Sequence, residues 1–448
     1  MSSDLEETLK ATGYAKVIVS LRPSAGLTAA SGPAAEAGIE GHFMVPSEAQ
    51  AENLGLAAMR MASRTFVRPV AEKRRRVRVY PHLGLAIGYA DARGVAALRA
   101  DAQVDNVVGA PEPSLIRPVT AAAATPTAAP SWGLRRLNIP ALWKAGFTGE
   151  GVVVGHLDTG VDASHPALKG AIKSFAEFDM SGERVPNAKP TDSGSHGTHT
   201  AGTIVGRSGA NGAFGVAPKA KLASAMVIEG GQVIDRILGG MDWIVSEGVR
   251  VMSMSLGLRG YTPAFEVLIN ALRTANVLPV IAVGNEFPNT SRSPGNYDNV
   301  LSIGAMGEDE KVADFSSSQR FNRTNDPLVP DLVAPGVQVL SCVPGGGYEK
   351  MSGSSMATPH IAGLAALLLH AKPGATTQEL ETAILGSCSL VPTMEVARAN
   401  RGVPDAVKAL SILTGAPPIA SIGTAPKKPV KLKTKKSKLS VVKSKKKR

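Results

Sequence analysis

The chain has 448 residues, more than one ordinary domain holds, so two or three segments are expected. Aromatic residues make up only 4% of it against 44% hydrophobic, which assigns the core to Val, Ile, Leu, Ala and Met, and no run of 18 or more apolar residues offers a membrane span. The net charge of +12 is confined to one end: Lys427–Arg448 carries 12 Lys or Arg and no acid, so the body is balanced and the basicity describes the tail alone.

Residues 1–13 read as a frayed start. They lack a basic stretch followed by an apolar one, so no secretory signal is expected and a cytoplasmic location is, with secretion by an unrecognised route as the alternative. Residues 14–116 form a small α+β pattern. AKVIVSL near Ala15 predicts a strand, VRVYPHLGLAIGYA around Tyr80 one or two more, GVAALRA from Gly94 a short helix, and VDNVV from Val104 a closing strand. Residues 117–131 form a linker, with VTAAAATPTAAPS uncharged and without periodicity. The main segment is 132–413. Residues 414–448 form a Pro- and Lys-rich tail with too little apolar surface to fold. The two cysteines, Cys342 and Cys388, give no disulfide framework and are expected as free thiols.

Within 132–413, β-branched runs end at polar residues: VVVGHLD at Asp158, RVMSMS at Ser255, VLPVIAVGN at Asn285. The runs are apolar on both faces, as strands of a covered parallel sheet are. Helical stretches such as IDRILGGMDWIVSEG separate them. The pattern is that of an α/β, doubly wound, mostly parallel sheet with helices on both faces. Ligands bind beyond the carboxyl ends of such strands, where Asp158, Ser255 and Asn285 fall.

Three motifs carry chemistry. Asp158-Thr159-Gly160 alone also fits a plain turn. His196 opens HGTHTAGTIVG, which predicts a helix; His196 and His199 at i, i+3 could share a metal, but no third ligand motif follows, and no metal site is assigned. Ser355, in GSSMATPH, opens a helix apolar nearly all round, with Pro359 placed near its first turn. A serine there is an ordinary N-cap, or a nucleophile whose developing charge meets the positive end of the helix dipole. A serine hydroxyl attacks only when a base takes its proton and a third group orients the base, and one candidate for each role is present.

In the order Asp, His, Ser, these motifs resemble the subtilisin family. The resemblance implies a serine endopeptidase with Asp158, His196 and Ser355 as its triad and Asn285, in AVGNE, as the side-chain oxyanion donor. It implies that Ser255-Leu256-Gly257 and Ala282-Val283-Gly284 flank a protein or peptide substrate. The related sedolisins would place Glu at His196 and Asp at Asn285; this chain follows the subtilisin pattern. Residues 14–116 resemble the family's propeptide, which implies a self-processing zymogen inhibited by its own N-terminal domain. No cofactor is required. A structural calcium is possible in the family, but its main site is expected to be missing, because Ala167 and Gly209 stand where ligands would. Arg292, in TSRSPGNY, falls either near the end of the primary specificity pocket or on a solvated loop. Lys73–Arg76 is read as a solvated edge rather than a processing site.

Two rival functions differ in class. One is an inert protease fold tethered by its basic tail to an anionic partner. The other is an aspartic protease built on Asp158, which needs a second carboxylate and an all-β segment. An anionic partner for the tail is compatible with the leading function as well.

Overall fold

The computed structural model describes residues 3–22, 38–45, 76–127, 129–179, 181–207, 213–228 and 233–420. The lysine-rich part of the tail, Gly209 and Lys73–Arg75 lie outside them. Seven parallel strands form the central sheet. In spatial order they are Leu332–Pro335, Leu301–Met306, Leu278–Ala282, Val251–Met254, Val153–Asp158, Lys221–Met226 and Ile172–Glu177.

Helices cover both faces. One apolar core joins the sheet to His196–Val205 and Ser354–Ala371, and a second joins it to Val233–Ser246 and Glu266–Thr274. The expected doubly wound fold is therefore present. Ser354–Ala371 runs beneath the sheet with Ser354 through Leu369 all buried. Pro359 lies in its second turn rather than its first; its missing N–H leaves the Ser355 carbonyl without a helical donor.

The N-terminal region is a four-stranded antiparallel sheet, ordered Val77–Tyr80, Leu85–Asp91, Tyr14–Leu21, Val104–Gly109. Side chains alternate across it. Val17 and Val19 enter a core with Leu5, Leu9, Phe43 and Leu98, while Ile18, Leu85 and Ile87 pack on the helices of the large domain. The first residues are not frayed: Ser3–Thr12 is a helix that buries Leu5 and Leu9.

At the end of the region read as 14–116, Ser114–Leu115 pairs antiparallel with Leu256–Arg259. The stretch 117–131 read as a linker departs from expectation as well: Thr120–Ala123 is a second strand and pairs antiparallel with Gly347–Ser352. The alanines of the second strand are exposed and held by backbone bonds alone, so no side-chain periodicity announces it. Cys342 and Cys388 are free thiols. Among the described residues no helix is long and apolar enough to cross a membrane.

Candidate active site

Asp158 ends the central strand Val153–Asp158, and His196 opens the helix packed above it. Glycine makes that packing possible. A Cβ on Gly197 would lie 2.1 Å from the Gly160 carbonyl oxygen, so the helix can sit directly on the Asp-Thr-Gly turn. His196 Nδ1 is 2.7 Å from Asp158 Oδ1, with both side chains almost wholly buried. The Thr159 N–H donates to Oδ1 and the Thr200 hydroxyl to Oδ2 of the same carboxylate. Burial alone would raise the Asp158 pKa, but the His196 charge and hydrogen bond hold it below the usual carboxylate range. Asp158 is thus an anion that fixes a proton on Nδ1 and leaves Nε2 as the basic nitrogen. Nε2 is buried without a hydrogen-bond partner among the described residues.

Ser355 sits in the first turn of Ser354–Ala371. Asn285, just beyond the strand Leu278–Ala282, faces it. The Ser354 N–H and hydroxyl both donate to Asn285 Oδ1 at 2.8 Å, which turns the amide N–H₂ toward the cleft.

The strand Ser114–Leu115 and its continuation lie across this site. Leu115 is opposite Leu256, Ser114 opposite Gly257, and the Ile116 N–H donates to the Ser255 carbonyl at 3.0 Å. Beyond the centre, the Val119 N–H donates to the Ser352 carbonyl at 2.8 Å. Between these anchors the Ser355 hydroxyl donates to the Ile116 carbonyl (2.7 Å), while Asn285 Nδ2 donates to the next one, that of Arg117 (3.0 Å). The Ser355 hydroxyl and the Asn285 amide thus address consecutive carbonyls rather than one.

Ser255, Leu256 and Gly257 therefore edge the crossing strand. Ala282, Val283 and Gly284 lead from the strand Leu278–Ala282 into Asn285; the Arg292 N–H donates to the Val283 carbonyl at 2.9 Å, and a Cβ on Gly284 would meet Glu286 and Arg292 side-chain atoms. Arg292 is not a solvated loop residue. It is 5% exposed and paired with Glu286. His199 does not join His196 at a metal: its Nε2 is within hydrogen-bonding distance of the Val339 carbonyl at 3.0 Å, and burial pushes its pKa down to about 3. Among the described residues no three metal-ligating side chains cluster.

Several supporting residues escaped the sequence. His156 lies between the hydroxyls of Ser224 and Thr200, each at 2.9 Å, and burial lowers its pKa. Asp192 accepts from Thr159, from Gly194 and from the N–H and hydroxyl of Thr198, which pins the turn to the helix. A signal existed for two of them: His156 shares a strand face with Asp158, and Thr200 shares a helix face with His196.

A model of the subtilase family matches residues 149–407, more than half of the chain. The chain belongs to the subtilase family. It is 37% identical over 245 residues to subtilisin BL of Lederbergia lenta, covering 54% of this chain and 85% of that one. It is 39% identical over 243 residues to an intracellular serine protease of Paenibacillus polymyxa, covering 53% and 72%. Subtilisin E of Bacillus subtilis (strain 168) is 35% identical over 255 residues, covering 56% and 63%. This subtilase is accordingly a serine endopeptidase, and an inert binding protein is not favoured.

Proposed function

We propose that Ser355, His196 and Asp158 perform the hydrolysis, that Asn285 binds the oxyanion, and that the chain is a zymogen held shut by its own residues 114–123. One observation carries this: the Ser355 hydroxyl and the Asn285 amide both donate to carbonyls of a strand lying across the cleft as a substrate would.

In the open enzyme Ser355 Oγ forms a bond to the substrate carbonyl carbon while its proton passes to His196 Nε2. The carbonyl electrons move to oxygen, which takes hydrogen bonds from Asn285 Nδ2 and the Ser355 N–H. Collapse breaks the C–N bond, and His196 hands its proton to the leaving amine. Water then repeats the sequence on the acyl-enzyme. Asp158 stabilises the imidazolium at each protonation. Serine-directed phosphonate labelling tests the assignment. Label that is lost in Ser355→Ala supports it; label that persists sinks it.

The crossing strand supports the zymogen because its register is unproductive. Arg117 and Pro118 separate the two anchored flanks, and acyl transfer needs nucleophile and oxyanion donor at the same carbonyl. Pro118 has no N–H and a fixed φ, which favours the displaced path. The first cut is expected at the carbonyl that Ser355 addresses, giving a new N-terminus at Arg117 in wild-type protein and none in Ser355→Ala. An intact N-terminus in fully active enzyme would remove the requirement for processing.

Basic side chains of the N-terminal domain meet acids of the peptidase domain: Lys16 pairs with Asp235 and Arg78 with Glu183, and the His82 ring lies within hydrogen-bonding distance of Asp242. This complementarity supports that domain as an intramolecular inhibitor. Calcium at the family's main site is not needed for folding here. At that place the Arg207 N–H donates to the Ala167 carbonyl and its guanidinium to that of Gly170, so a covalent cation takes up carbonyl oxygens near Ala167.

A further inference from the structure

His156 takes no part in the hydrolytic steps, yet it touches the group that holds Asp158. It lies two residues before Asp158 on the strand Val153–Asp158, on the same face. Its partner in the neighbouring strand is Ser224, whose Oγ is 2.9 Å from Nδ1. On the other side Nε2 is 2.9 Å from Thr200 Oγ1, on the helix that His196 opens. His156, Asp158, Thr200 and Ser224 are each no more than 2% exposed, so solvent does not compete for these bonds.

The ring has two neutral tautomers, and they differ in what reaches Asp158. Nε2 is 3.8 Å from Asp158 Oδ2. A lone pair on Nε2 would face the carboxylate, whereas a proton there turns the positive edge of the ring toward it. Nδ1 then accepts from the Ser224 hydroxyl, and Nε2 donates to Thr200 Oγ1. The Thr200 hydroxyl has one proton and three oxygens in reach: Asp158 Oδ2 at 3.1 Å and the carbonyls of His196 and Gly197 at 3.2 and 3.1 Å. The carboxylate is the strongest acceptor of the three, and a hydroxyl that accepts from His156 donates more strongly in turn. In the other tautomer Nε2 takes the Thr200 proton and Oδ2 loses it. Burial lowers the His156 pKa, so the ring stays neutral and sets no second cation beside the His196 imidazolium.

We propose that His156 is a positioning residue of the triad: with its tautomer fixed by Ser224, it aims the Thr200 hydroxyl at Asp158 Oδ2 and so holds the carboxylate in plane for His196. This rests on the assignment of Asp158, His196 and Ser355 as the triad. The Thr159 N–H and His196 Nδ1 both hold Oδ1, and among the described residues the Thr200 hydroxyl is the hydrogen-bond donor at Oδ2. Without that donor the carboxylate is fixed at one oxygen, and its rotation about the Cβ–Cγ bond loosens the aim of the imidazole. The loss falls on proton transfer, not on substrate binding.

The test uses the full chain, brought to constant activity. Active sites are counted by phosphonate titration, and kcat and KM are read on one peptide. Thr200→Val keeps the shape and removes the donor. It should lower kcat about 10-fold with KM unchanged, the size of one hydrogen bond to a charged group. His156→Leu should do the same. His156→Gln places an amide N–H where Nε2 stands and should bring kcat back to within about 3-fold of wild type. His156→Asn reaches toward Ser224 but not Thr200 and should stay as low as leucine; it also replaces leucine if that variant fails to fold. The double variant His156→Leu/Thr200→Val should lose no more than Thr200→Val alone, because both changes remove one contact. Unchanged kcat, losses that multiply in the double variant, or a glutamine variant no better than asparagine would overturn the proposal. Wild-type protein that never labels would instead overturn the assignment of Ser355.

Discussion

The strand Val153–Asp158 has neighbours on both edges and helices on both faces, whereas Tyr14–Leu21 divides its side chains between two bodies. Val17 and Val19 serve the N-terminal core; Ile18, with Leu85 and Ile87, serves the peptidase domain. The large sheet closes its own core and holds Asp158 and Asn285 rigidly at its carboxyl edge. The small sheet has one finished face and one that is finished only by docking. On the function proposed above, a chain so arranged keeps its chemistry in the self-sufficient body and its control in the dependent one. Variants that strike one body and spare the other sharpen the contrast.

The largest effect belongs to the nucleophile. Ser355→Ala should lower peptide hydrolysis by about 10⁶-fold, the loss found for this serine in subtilisin rather than one derived from this geometry. Both sheets should survive, because among the described residues the hydroxyl's hydrogen bond goes to the crossing strand, at the Ile116 carbonyl. A melting curve and a peptide assay on the same sample check both halves.

Asn285→Ala comes next. It removes one oxyanion donor and should cost about 10²–10³ in kcat with KM little changed, again the magnitude known from subtilisin. Ser354 holds the amide by its carbonyl oxygen, so Ser354→Ala should reproduce a fraction of this loss. An equal rise in KM for Asn285→Ala would mean that the residue binds substrate rather than the transition state.

The chemistry was legible because it sits where the pattern is strongest. Buried runs ending in Asp158, Ser255 and Asn285 announce a parallel sheet, and the motifs around His196 and Ser355 are long. What escaped the sequence is held by backbone or by partners distant in the chain. Thr120–Ala123 is a strand only because Gly347–Ser352 offers an edge to it. Ser3–Thr12 is too short to hold as a helix alone and is stabilised by burying Leu5 and Leu9 against Val17 and Val107. Arg292 looked like a loop arginine, since no local feature reveals that Glu286, six residues earlier, turns back to meet it. Charge partners of that kind belong to the tertiary structure.

Acid should separate the two bodies by a smaller margin. Burial lowers the pKa of His199 to about 3 and of His360 to about 4, and both lie in the peptidase domain. Unfolded, each takes up its proton near pH 6.5. The unfolded state therefore binds more protons below that pH, and stability falls as pH drops from about 6.5 toward 4. Each histidine should cost about 2 kcal/mol by pH 5. Asp158 acts in the same direction only lower, since its depressed pKa is crossed below the ordinary carboxylate value. A Tm that stays flat between pH 7 and pH 5 would show that these imidazoles are not buried neutral in solution.

Docking of the small sheet should respond more weakly still. Lys16 and Asp235 form a mostly buried pair, 15% and 8% exposed, at the face between the bodies. Lys16→Ala should speed release of residues 114–123 about 10-fold, less than the ~3–5 kcal/mol of a fully buried broken pair because the lysine keeps some solvent. Arg78→Ala should change it by less than about 3-fold, since Glu183 is nearly half exposed. The lag before peptide hydrolysis begins measures both; a larger effect from Arg78 would reverse this ranking of the interface.

The smallest effect concerns calcium. A metal near Ala167 would need carboxylate or carbonyl oxygens free to ligate. The Ala167 carbonyl accepts the Arg207 N–H, and the Gly170 carbonyl accepts its guanidinium. Ala167 contributes a methyl group where a carboxylate would be required, and a fixed positive charge next to it repels a divalent ion. Chelation should therefore shift Tm by less than about 2 °C, under roughly 1 kcal/mol for a domain of this size. Arg207→Ala makes the test two-sided. If Arg207 substitutes for a metal, its loss should lower Tm in both EDTA and calcium, because Ala167 still supplies no carboxylate. A wild-type Tm that collapses in EDTA and returns with calcium would place a metal elsewhere in the peptidase domain and remove this role from Arg207.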